Sequence, residues 1–170
     1  AELNRSCPPA GIFRWLAIAA SPQVHTFDVW SILQNADSFA DIGATMRAFG
    51  GEARLGVAPL RFESRFTGDD PRADSPLAAA YLILALTSIA GGGFERVITG
   101  KASQVLRSES PVGAVLRDIL RIRAHTVRRE ERGGLTLVQF VGSQGNASYL
   151  VNPSPEEREG AAPFAYRKEE

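Results

Sequence analysis

Apolar side chains run almost unbroken from Leu77 to Ile89, and this stretch carries helix signals at both ends. Ser75 can accept a hydrogen bond from an orphan first-turn N–H, and Pro76 suits the first helical position. Gly91-Gly92-Gly93 supplies the terminator. A helix over about 75–90 with no polar face must be packed on most of its circumference. At about 14 residues it is too short to span a bilayer, which takes roughly 20. The pattern therefore predicts a central core helix.

Helical spacing recurs on either side of it. Ile12, Leu16 and Ala19 share a stripe widened by Phe13 and Trp15, which predicts a docked helix over 12–20. Thr26 can cap a helix carrying Val29, Trp30, Ile32, Leu33 and Ala36. Asp37 or Ser38 can cap a second one through Phe39, Ile42, Met46 and Phe49, ended by Gly50-Gly51. Phe94, Val97, Ile98, Val105 and Leu106 suggest a further helical stretch, weakened by Gly100. Ser110-Pro111 opens an amphipathic helix through Val112, Val115, Leu116, Ile119, Leu120 and Val127, running to about Arg128.

Strand periodicity is confined to two regions. Ala53, Leu55 and Val57 alternate with polar or small residues. Leu60, Phe62, Ser64 and Phe66 alternate with Arg61, Glu63 and Arg65. Joined at Ala58-Pro59, with one charged face, these runs predict an antiparallel sheet wet on one side. Leu135 to Val141 and Ala147 to Asn152 predict a hairpin with a loop of about five residues. The sum is an α+β chain: a mostly helical single domain over 8–152 around the central apolar helix. It carries a small, mainly antiparallel sheet, followed by a disordered, charged C-terminal tail over 153–170.

Composition narrows this only slightly. The 170 residues are 44% hydrophobic and 22% charged, with formal net charge zero, so no global field points to nucleic acid or membrane. Cys7 is the single cysteine, which excludes an intrachain disulfide and favours a reducing compartment. Ala17-Ile18-Ala19 is similar to a signal-peptidase site, but Arg14 interrupts the apolar run before it. These features predict a soluble protein, cytoplasmic or within a viral particle, with no membrane partner.

No motif for chemistry survives inspection. Gly100-Lys101-Ala102-Ser103 lacks the first glycine of a phosphate loop, since position 95 is Glu, and has Ala where the magnesium-binding hydroxyl belongs. His25 and His125 stand a hundred positions apart without paired ligand spacing, and Gly142-Ser143-Gln144-Gly145 lacks the spacing of a nucleophile elbow. No catalytic residue, metal or cofactor is predicted. Two surfaces stand out instead. Over 110–132, six arginines face three carboxylates; Arg117, Arg121, Arg128 and Arg129 lie off the apolar stripe and are candidates for phosphate contacts with RNA. In the tail, Phe164 and Tyr166 form a candidate partner-docking motif.

The favoured reading is a non-enzymatic interaction or assembly module that binds a protein partner or a second copy of itself. In length and outline it is similar to small accessory proteins of phage or viral particles, such as the minor assembly protein of the cystovirus polymerase complex. The alternatives are an RNA-binding protein using the Arg-rich helix, and a small enzyme whose site is assembled from scattered residues.

Overall fold

The structure, a computed structural model, describes residues 9, 11–64, 68–99, 107 and 109–169. Its first half is built from parallel strands joined by helices. Strand β1 (Trp15–Ala20) leads through α1 (Val29–Gln34), a 3-10 turn (Asn35–Ser38) and α2 (Phe39–Gly50) to β2 (Arg54–Leu60). A second 3-10 turn (Pro71–Asp74) and α3 (Pro76–Gly91) then lead to β3 (Arg96–Thr99). The strands pair in the order β1-β2-β3, both pairs parallel, so each connection must cross over, and the helices are those crossovers. Leu16, Leu55 and Val57 point into the core, while Ala17, Ala19 and Ile98 on the opposite face are exposed. At the N-terminal end of that face the Trp15 ring lies 4.3 Å from the Arg54 guanidinium and 4.8 Å from that of Arg96.

Helix α4 (Pro111–Ile122) leads into the second half. This is a meander of β4 (Ala124–Arg132), β5 (Leu135–Gly142), β6 (Gly145–Asn152) and β7 (Ala165–Glu169), antiparallel throughout. Helix α3 joins the halves. It touches α1, α2, α4 and all four strands of the antiparallel sheet, and its side chains share one core with Leu55, Val57, Val138 and Tyr149. Its caps follow the expected chemistry: Ser75 accepts from the Ala78 N–H, and Pro76 occupies the first turn. Gly43 lets α2 approach closely, because a Cβ there would lie 2.2 Å from the Gly92 carbonyl oxygen.

The fold is therefore not mostly helical, and its strands do not form one small, mainly antiparallel sheet. Strand is nearly as abundant as helix, and a three-stranded parallel sheet accompanies a four-stranded antiparallel one. The stretch 12–20, expected as a helix, contains β1; its outward positions are alanines rather than polar residues, so the two-residue period was invisible. The runs at 53–57 and 60–66 do not make an antiparallel sheet wet on one side, since 54–60 pairs parallel with both its neighbours. Among the described residues of these runs the strand is 54–60, with residues 65 and 66 outside those described. It is the central strand, and Pro59 sits where the register shifts against both neighbours and no ladder donor is needed. The stretch from Phe94 holds β3, while residues 100–106 lie outside those described. The helix from Ser110 stops at Ile122, because Arg123 takes a left-handed conformation (φ 52°) and turns the chain into β4. A Cβ on the facing Gly142 would lie 2.0 Å from the Ile122 carbonyl oxygen, so this corner requires glycine.

The expected disordered tail is also ordered. Strand β7 pairs with β6 from Asn152↔Ala165 to Ser148↔Glu169. The connecting loop is anchored by fully buried Asn152, whose amide donates to the carbonyls of Glu156 (2.7 Å) and Ala161 (2.9 Å) and whose oxygen accepts from Ser154. The hairpin turn is two residues, Ser143-Gln144, rather than five.

Because α3 is central, Ile83→Ala is expected to cost about 2–5 kcal/mol, as for other buried aliphatic truncations. Chemical denaturation measures this; a midpoint equal to that of the parent protein would contradict the placement.

Candidate functional site

Polar side chains gather where the three parallel strands end. Ser21, Pro22 and Gln23 follow β1; Arg61, Phe62, Glu63 and Ser64 follow β2; Thr99 closes β3. A cavity of about 450 Å³ opens beside these strand ends. Arg61, Glu63, Ser64, Asp69 and Thr99 supply its polar lining, and Phe62, Tyr81, Leu82 and Val112 its apolar wall. Glu63 is half-buried and Ser64 buried. Tyr81 meets Phe62 edge to face at 6.1 Å, and burial raises its phenol well above the usual range, so it stays a neutral hydroxyl.

The segment after β2 is held at two points by the loop after β1. Ser21 Oγ donates to the Glu63 carbonyl (2.9 Å) and Gln23 Nε2 to the Phe62 carbonyl (2.7 Å). Gln23 is held by Arg72, whose Nη2 donates to Gln23 Oε1 at 3.2 Å. The Arg72 guanidinium also grips Asp70 through two parallel bonds of 3.1 and 2.8 Å, reaches the Phe27 carbonyl at 3.0 Å, and lies 6.0 Å from the Phe62 ring. Those bonds hold the Asp70 carboxyl down at about 2, against the opposing effect of its burial. Asp74 accepts from Ser110, the N-cap of α4, which fixes the loop before α3 to the next helix.

Geometry of this kind has a known context. A family model described as "D-apionate lactonase, TIM barrel domain" matches residues 1–121. The chain belongs to that family. No curated protein and no solved structure matches it. The β-α-β-α-β order of 15–99 fits the alternating units of a barrel, in which active sites lie at the C-terminal ends of the strands. That is where Glu63 and the cavity are. Membership of the D-apionate lactonase family, a family of enzymes, overturns the expectation of a non-enzymatic assembly module or viral accessory protein. It also reverses the leaning away from an enzyme.

The arginines singled out in the sequence are not brought together on one helical face. Arg117 and Arg121 lie on α4, while Arg128 and Arg129 are consecutive on β4 and so project from opposite faces of the sheet. Arg117 donates to the Arg107 carbonyl (2.7 Å), Arg121 pairs with Asp118 (3.3 Å), and Arg129 pairs with Asp37 and with Glu131 (3.0 Å). The tail aromatics turn onto their own domain. The Tyr166 hydroxyl donates to the Pro111 carbonyl (3.3 Å) and its ring meets Tyr149 at 5.7 Å, while Phe164 is half-buried. Beneath them, Asp118 accepts from the Tyr149 hydroxyl (3.0 Å) and Lys168 (2.6 Å), tying α4 to β6 and β7.

Glu63, Ser21 and Gln23 were missed by motif reading because nothing local marks them. One usable signal was present: Leu55 to Leu60 is nearly continuous in apolar or small residues, as in a parallel strand buried on both faces. Taken that way, Arg61 to Ser64 fall just past a strand's C-terminal end. Among the described residues, no group of three or more His, Cys, Asp and Glu could hold a metal ion, and no helix is long and apolar enough to cross a membrane.

The Asp70–Arg72 pair sets a pH dependence. The folded carboxyl lies below its unfolded value of about 4, so its stabilisation is present above pH ~4 and is lost as pH falls toward 2. Asp70→Asn should be less stable than the parent at pH 7, with the gap closing by pH 2 in denaturation series. A gap independent of pH would contradict the pairing.

Proposed function

We propose that this chain supplies Glu63 to a hydrolase site for a sugar-type lactone at the C-terminal mouth of β1–β3. The observation that carries the reading is the position of the residue Glu63. It leaves the end of a central parallel strand and lines a cavity with one apolar wall, in a chain of the D-apionate lactonase TIM barrel family. In this reading Glu63 accepts a proton from a water that attacks the lactone carbonyl. The new C–O bond forms a tetrahedral intermediate. Its collapse breaks the ring C–O bond, and the proton passes to the departing ring oxygen, leaving an open-chain hydroxy acid. Arg61, on the same cavity, is suited to oppose negative charge developing on the carbonyl oxygen and then on the product carboxylate.

The substrate that follows from the family's name is the lactone of D-apionate. Glu63→Gln keeps the shape of the side chain and removes the base, and is expected to lower kcat by about 10²–10⁴-fold. Titration of the acid released from the lactone measures this. A kcat unchanged in Glu63→Gln would overturn the assignment.

A further inference from the structure

We propose that Gln23 is a positioning residue for Glu63, locked in its working orientation by Arg72; this rests on the reading of Glu63 as the catalytic carboxylate. Gln23 is 1% exposed, and a buried amide is costly unless its donors and acceptor are used. Here both ends are used, and for the same purpose. Its oxygen accepts from Arg72 Nη2 at 3.2 Å and its nitrogen donates to the Phe62 carbonyl at 2.7 Å.

The direction of the amide is dictated by chemistry on both sides. A guanidinium has only donors and a carbonyl has only acceptors, so the Gln23 oxygen must face Arg72 and the NH2 must face Phe62. Ser21 adds a second tie two residues earlier. Its hydroxyl donates to the Glu63 carbonyl at 2.9 Å and accepts from the Gln23 N–H at 3.2 Å. Two successive carbonyls after β2 are therefore held by the loop after β1. These ties fix the two peptide units that flank the Glu63 Cα and so set the direction in which its side chain leaves the backbone. Reacting groups must be held to well within 1 Å, so a fixed exit for the carboxylate has kinetic value beyond stability.

The deciding variant is Gln23→Glu. It keeps the volume of the side chain and its contact with Arg72, but replaces the donor facing the Phe62 carbonyl with an acceptor. In the full chain, with the lactone of D-apionate as substrate, kcat should fall about 10- to 100-fold while KM changes less than about threefold. Arg72→Lys, which keeps the charge but loses the planar fork, should shift kcat in the same direction. Circular dichroism of each variant gives its folded fraction at the assay temperature. A loss of kcat matched by an equal loss of folded protein means a structural role and overturns the proposal. So does a Gln23→Glu kcat within about twofold of the parent when Glu63→Gln is inactive, a result that leaves the site itself intact. If Glu63→Gln is as active as the parent, the site reading fails and this proposal with it. Should Gln23→Glu not fold, Ser21→Ala removes the neighbouring tie alone, and the same split between kcat and KM decides.

Discussion

Helix α3 buries twelve of its sixteen residues, and a helix apolar on every side must be covered on every side. That requirement organises the chain. Ala78, Ala79 and Ala80, nearly inaccessible, leave room for neighbouring elements to come close. Two hydroxyls on it find carbonyl acceptors: Thr87 donates to the Leu84 carbonyl (2.6 Å), and Ser88 to the Asp37 carbonyl (3.0 Å). The parallel sheet, α2, α4 and the antiparallel meander each cover part of the surface. Even the final strand is recruited, since β7 packs against α3 and the buried Asn152 amide network fixes the loop that delivers it.

The same constraint places the site. Because α3 is the crossover between β2 and β3, its N-terminal half lies beside the exit of β2, and Tyr81 and Leu82 become one wall of the cavity. Glu63 thus lines a cavity walled by an apolar helix, on a segment whose carbonyls are tied by Ser21 and by Gln23, itself held by Arg72. A carboxylate on a rigid frame, with polar groups arriving from neighbouring strand ends, is the arrangement by which barrels place chemistry in their loops. The grip of Arg72 on Asp70 keeps that frame charged and ordered at neutral pH.

Local patterns made α3, α2 and the hairpin of β5 and β6 legible, because each carries its own caps, glycines or alternation. Ser75, Pro76 and Gly51 sit at the expected helix ends, and β5 and β6 cover the stretches expected of the hairpin. Parallel pairing leaves no such trace. The partners of Leu16 and Val57 are distant in sequence, β1 shows alanines where solvent-facing strands show polar groups, and β3 is only four residues long. The turn at Arg123 was hidden for another reason: an arginine holds the left-handed conformation that usually announces itself as glycine. The site was illegible because its members come from the ends of separate strands. Arginine counting instead drew attention to residues 110–132, which the fold divides between α4 and β4.

The central claim is that ligand chemistry takes place at the strand ends around Glu63. Titrating the isotopically labelled protein with D-apionate, the hydroxy acid in the family's description, and following backbone amide shifts by NMR tests this most directly. The account predicts perturbations concentrated at 21–23, at 61–64 and at Thr99. Perturbations confined to the arginine-bearing stretch 111–132, or none at saturating ligand, would contradict it.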